Sequence, residues 1–185
     1  MASHDFHSSP SSRLARRLGL GVLVGLLLIV GWIAWVRLND PTVPLTNENL
    51  AEARKRWNSS EPADYDLDIK IGGLRAGSVH LEVRDGKVVA FERDGRTPAA
   101  RRTWDVWTVP GQFEMLDLEL AAASKTTGPF DASPGSRVVQ FVEFDPQYGY
   151  PRQYRRFVLG SDDNVDRSID WTITAFRVLK PGRGL

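Results

Sequence analysis

Cysteine is absent from the sequence. Its absence excludes a disulfide framework, a cysteine-ligated metal and anchorage through a lipid-bearing cysteine, and leaves packing to supply the stability of the fold. Charge is balanced, with 24 Lys and Arg against 23 Asp and Glu. Phosphate backbones call for a basic surplus, so nucleic acid is not an expected partner. Neither G-x-x-x-x-G-K-[ST] nor G-x-G-x-x-G occurs, and G-x-S-x-G is missing too; the pair Gly72-Gly73 reads as a strand-end turn. Histidine is scarce. After His4 and His7 only His80 remains, in "SVHLEV", where alternation with Val79 and Leu81 directs it to a wet face with no nucleophile or second ligand nearby. No catalytic, cofactor-binding or metal-binding residue is assigned, and no cofactor is expected.

What the chain does have is one long apolar run. "LGLGVLVGLLLIVGWIAWV", residues 18–36, carries no charge. As a helix rising ~1.5 Å per residue it would extend roughly 28 Å, close to the hydrocarbon thickness of a bilayer. Arg13, Arg16 and Arg17 precede it and Arg37 alone follows directly. The positive-inside rule then puts residues 1–17 in the cytoplasm and the remainder outside, with the run in contact with membrane lipid. A cleaved signal peptide is the competing reading, but the run is long for one and ends in Trp, Val and Arg instead of small residues. Residues 37–46, "RLNDPTVPLT", contain two prolines and read as a semi-rigid tether.

Residues 47–182 read as one domain. "TNENLAEARKRWNSS" predicts a helix capped by Thr46 or Asn47, with Leu50, Ala53 and Trp57 on one face. In "DYDLDIKI", Tyr65, Leu67, Ile69 and Ile71 alternate with Asp66, Asp68 and Lys70, the pattern of a half-buried strand. "SVHLEVRDGKVVAFER" adds two strands around the hairpin signal Asp85-Gly86. A second helix follows in "TVPGQFEMLDLELAAAS", with Thr108 as cap and Pro110 in its first turn, and then "RVVQFVEF", "RQYRRFVLG" and "DWTITAFRVL" supply three strands. The fold class expected is α+β: a single transmembrane helix, then an antiparallel sheet packed against two helices, with helix plus three strands occurring twice.

"VRDGKVVAFE", the Trp-rich lead into "TVPGQFEMLDLELAAA", "VEFDPQYGYPRQYRR" and the closing "DWTITAFRVL" together resemble the bacterial domain-of-unknown-function family DUF6174. The resemblance runs from about Trp57 to Leu179, and Asp145 to Pro151 is its most specific part. It implies a small exported or lipid-anchored bacterial protein with no assigned activity, and it carries over no catalytic residue. On this reading the chain sits in the bacterial cytoplasmic membrane, single-pass, and differs from lipid-anchored members in having an apolar run and no cysteine.

Four further features bear on function. In "SDDNVDRSID", Asp162, Asn164, Asp166, Ser168 and Asp170 place oxygens at alternate positions, but Arg167 and Ile173 stand where a calcium loop needs Gly and Glu, so a solvated loop is expected. Arg93, Arg96, Arg101 and Arg102, with Arg152, Arg155 and Arg156, form basic stretches that read as dispersed surface charge. Trp104 and Trp107 read as core or lid residues. The stretch "FDPQYGYPRQYRR" predicts a hairpin connection whose Tyr148 and Tyr150 either fold back on the sheet or meet a partner. Tyr148, Tyr150, Arg152 and Arg155 are therefore the candidate contacts for an envelope protein or cell-wall partner. The expected function is a membrane-anchored, non-catalytic binding or scaffolding module. Its alternatives are a small apolar-ligand carrier with a closed cavity, or a hydrolase using Asp145, Asp162 or Asp166.

Overall fold

The computed structural model describes residues 27–31, 40–125, 130, 132–160 and 166–179. Seven strands are named in chain order: β1 (Val43–Pro44), β2 (Tyr65–Ile71), β3 (Gly77–Arg84), β4 (Lys87–Arg93), β5 (Arg137–Phe144), β6 (Pro151–Leu159) and β7 (Ile169–Val178). Helix α1 (Asn47–Ser60) precedes β2, and α2 (Val109–Ala123) precedes β5. All strands join one antiparallel sheet in the order β1-β5-β6-β7-β2-β3-β4.

The expected architecture is corrected by this finding: it is a single seven-stranded sheet with a few helices, and the transmembrane helix is not among them. Among the described residues no helix is long and apolar enough to cross a membrane. Helices α1 and α2 have 14 and 15 residues. At ~1.5 Å per residue either falls short of the roughly 30 Å of a bilayer core, and α2 also carries Glu114, Asp117 and Glu119. Of the apolar run only residues 27–31 are described, as helix; the rest of 18–36, and the arginines used to orient it, lie outside the described residues. The single-pass anchor and the localisation across the bacterial cytoplasmic membrane are set aside with it. The stretch read as a tether reaches into the sheet, where Val43 and Pro44 pair with Val142 and Phe141 at the edge. An edge strand tolerates proline because no ladder hydrogen bond is demanded on its outer side.

Local chemistry accounts for the elements. Thr46 and Asn49 exchange hydrogen bonds in a capping box, the Thr46 hydroxyl accepting from Asn49 N at 3.2 Å and the Asn49 carbonyl from Thr46 N at 3.0 Å. At α2 the Thr108 hydroxyl accepts from Gly111 N at 3.1 Å. The Tyr65 hydroxyl accepts from Val109 N at 3.3 Å, which ties α2 to β2, and burial pushes this phenol up to about 12. The alternation in β2 turns Leu67, Ile69 and Ile71 onto the covered face beside Val79 and Leu81 of β3 and Trp171 of β7. Helix α1 adds Leu50, Ala53 and Trp57 to this core, and α2 adds Val109, Phe113 and Leu116.

The connection from β5 to β6 passes close beneath α1. Gly149 has φ +80°, and a Cβ there would overlap the carbonyl oxygen of Ala53. Gly86, in the β3–β4 turn, shares the positive φ at +70° but faces open space. Gly149→Ala is therefore expected to destabilise the domain by about 2 kcal/mol or more, through backbone strain plus displacement of α1, and Gly86→Ala by about 1 kcal/mol from strain alone. Urea denaturation of both variants checks this; equal losses would show that the contact with α1 is not tight.

Candidate functional site

The tyrosine turn lies against the fold. Tyr150 is buried, its ring 4.3 Å from that of Phe176, and Tyr148 sits 5.4 Å from the same ring. The Asp145 carboxylate accepts from Gln147 N and Tyr148 N at 2.9 and 2.8 Å, and Gly149 N donates to Asp145 O at 2.9 Å. Asp145, named above as an acid for hydrolysis, is thus spent on holding the turn. Burial, with Asp145 adding to it, raises the Tyr150 phenol to about 12. Arg152 is exposed and pairs with Glu143 at 3.0 Å, while Arg155 donates to the Thr42 hydroxyl at 2.7 Å. The two tyrosines are brought together around Phe176; the two arginines have separate partners.

His80 lies on the other, uncovered face, in a depression of about 570 Å³ that also takes in Asp68, Glu92, Asp94 and Thr174. Its Nδ1 donates to Asp68 at 2.7 Å, and its Nε2 is 3.7 Å from the Glu82 carboxylate. Asp68 also binds Arg177 at 3.1 Å, and Asp94 accepts from Ser78 N at 2.7 Å. An imidazole oriented by a carboxylate resembles part of a catalytic triad, but the second nitrogen here meets another carboxylate instead of a hydroxyl.

The calcium-like stretch is described only from Asp166 onward, so Asp162 and Asn164 lie outside the described residues. Asp166 accepts from Ser168 N at 2.8 Å, and hydrogen bonds to Ser168 lower its pKa. Among the described residues no three His, Cys, Asp or Glu side chains converge on a metal position.

A third place combines space with apolar lining. Where β2 ends and β7 begins, a cleft of about 460 Å³ opens among Ile71, Leu74, Trp107, Met115, Phe130 and Ile169. Among the described residues, four arginines line it as well, Arg75, Arg93, Arg156 and Arg167, with Asp166 the one carboxylate. Leu74 projects from the turn after β2 with 75 % of its surface exposed. One wall is fixed by a partly buried network: Arg156 pairs with Glu119 of α2 at 2.6 Å, both side chains about one-eighth exposed. The Tyr154 hydroxyl donates to Glu119 at 2.7 Å and accepts from Gln140 at 3.1 Å, and burial raises the Tyr154 pKa, reinforced by Glu119. Arg156 also lies over the Phe130 ring at 3.8 Å and donates to Arg167 O at 2.9 Å. A paired, stacked guanidinium of this kind is a rigid wall.

This cleft is not evident from the sequence. Leu74 and Arg75 occupy the turn after Gly72-Gly73, Arg93 belongs to a basic stretch, and Trp107 and Met115 come from the second half. The one local signal is an exposed leucine next to an arginine in "GGLRAG".

The His80 pair makes a pH prediction. The hydrogen bond to Asp68, supported by Glu82, raises the His80 pKa above its ordinary value of 6.5, against a smaller opposing effect of desolvation. Because the folded value lies above the unfolded one, the stabilisation is complete below pH 6.5 and is lost as pH rises through the folded value. The melting advantage of the parent over His80→Gln should therefore be larger near pH ~5.5 than near pH ~8.5. An advantage that is constant or grows with pH would contradict the pairing.

No curated protein and no solved structure matches the chain. The sequence model of a family of unknown function, DUF6174, matches residues 49–178, a stretch that begins in α1 and ends with the last residue of β7. With well over half of its length matched, the chain belongs to the DUF6174 family.

Proposed function

We propose that this domain is a binding module that performs no chemistry and holds a small molecule with an apolar body in the cleft at the ends of β2 and β7. The observation that carries the reading is the meeting of an exposed Leu74 with Ile71, Trp107, Met115 and Ile169 around about 460 Å³ of open space. That volume falls in the range of small-ligand sites. Large exposed apolar side chains at the mouth of a cleft are costly to leave in water, and a ligand covering Leu74 offsets that cost. Proton transfer is not what this lining suits: guanidiniums stay charged, and the Asp166 carboxylate already accepts from Ser168.

A carrier that encloses its ligand between helices and sheet is less well supported. The space between them is occupied by Trp171, Tyr154, Phe113 and Leu116, all fully buried. An open cleft at the edge of that filled core is a better match to exchangeable binding.

The chain has only two methionines, Met1 and Met115. A methyl-labelled methionine sample therefore carries one reporter inside the cleft. Titration with decanol, decanoate, decyl phosphate and decyltrimethylammonium, each below its micelle concentration, should move the Met115 methyl resonance saturably with at least one of them, and Leu74→Ala, which keeps the reporter, should weaken that binding. A methyl signal that stays still with all four would overturn the reading.

A further inference from the structure

We infer that the cleft selects a ligand carrying an oxyanion head, a carboxylate or phosphate monoester on an apolar body, and that Arg75 and Arg93 at its rim recognise that head. The inference rests on the binding reading above and adds the chemical class of the ligand. The four arginines of the lining differ in how far their charge is already answered. Arg156 is neutralised by Glu119 at 2.6 Å and held over Phe130, so its charge is committed to the wall. Arg167 donates through Nε to the Phe130 carbonyl at 3.1 Å, which likewise fixes it on that side.

The opposite rim is different. Arg93 donates to the Arg75 carbonyl at 3.3 Å, which places the two residues side by side. Among the described residues its carboxylate neighbour is Asp94, 3.8 Å away and exposed, and Asp94 is already drawn to Ser78 N at 2.7 Å. A loose exposed pair of this kind neutralises little. Arg75 is exposed, and no carboxylate pairs with it among the described residues. Both residues line the cleft, and a guanidinium offers several N–H donors suited to an anion with two or more acceptor oxygens. Leu74 lies directly beside them, so a head bound at this rim leads its apolar body across Leu74 and Ile71 toward Trp107 and Met115.

The test uses the Met115 methyl titration on the full chain with the same decyl probes plus inorganic phosphate. Decanoate and decyl phosphate are expected to bind about tenfold or more tightly than decanol, and decyltrimethylammonium more weakly still. Arg75→Gln with Arg93→Gln should remove the preference for the anions while decanol affinity stays as it was. Arg152→Gln, which removes one charge at an exposed arginine that pairs with Glu143 and does not line the cleft, should leave the preference intact. Arg75→Gln alone, at an exposed position, should retain the melting temperature and lose part of the preference, which keeps the test decisive if the double variant folds poorly. Decanol binding equal to decanoate and decyl phosphate would overturn the head-group assignment but leave the cleft as a binding site. Inorganic phosphate binding as tightly as decyl phosphate would overturn the amphiphile class. Silence of the methyl with every probe would mean that the binding reading itself has failed.

Discussion

The pairing of β2 with β7 holds the sheet together. Apart from the short edge strand β1, the strands fall into two three-stranded groups, β2-β3-β4 and β5-β6-β7, and among the described residues the sheet joins them through the antiparallel ladder between the first strand of one group and the last of the other. It runs from Tyr65 opposite Val178 to Ile71 opposite Trp171, with a bulge between Asp68 and Ile69. Trp171, Ile69 and Leu67 are among the most completely buried side chains, so the ladder is also the centre of the core. Because β7 lies over a hundred positions from β2 in sequence, this contact closes a long loop, and such topologies fold slowly for their size.

The same seam sets the position of the cleft. Gly72 N donates to Asp170 O at 2.9 Å just past the end of the ladder, and from there the chain turns outward into Leu74 and Arg75. Ile71 and Ile169 extend the covered face of the seam into the cleft floor, while Trp107 and Met115 arrive from α2 and the segment before it. The Glu119–Arg156 pair closes the far wall. Two largely covered charges of this kind are expensive to desolvate, and the hydrogen bonds from Tyr154 to Glu119 and from Arg156 to the carbonyl of Arg167 help to offset that cost. Their value lies in geometry: they fix a guanidinium and an aromatic ring where a flexible surface would otherwise stand.

Strand faces were legible in the sequence because a period of two states directly which side chains turn inward. Leu67, Ile69 and Ile71 are buried while Asp66, Asp68 and Lys70 are not, and His80 shares their wet face. Helix starts were legible for a similar reason, since Thr46 and Thr108 carry the hydroxyl that a first turn requires. Sheet order was not, because alternation assigns a face and never a neighbour; nothing in "DWTITAFRVL" says that it lies beside "DYDLDIKI". Val43 and Pro44 read as a tether because a two-residue edge strand containing proline has no periodicity to detect. The apolar run at residues 18–36 satisfied a length criterion for a membrane span, yet no described helix meets that criterion. The cleft was not legible because its walls come from six separate stretches, residues 71–75, 93, 107–115, 130, 156 and 166–169. Arg75 and Arg93 meet only through the β3–β4 hairpin and the turn after β2.

The central claim is that the seam makes the two strand groups one cooperative unit and thereby holds the cleft in shape. Native-state amide hydrogen exchange tests it most directly, comparing the parent with Ile69→Val, a change at the heart of the seam expected to cost about 0.5–1.5 kcal/mol. If the seam unites the domain, the slowest amides of β3 and of β6 open with the same free energy in the parent, and both fall by the same amount in the variant. Separate opening energies for the two groups, or a loss confined to β2 and β3, would contradict it.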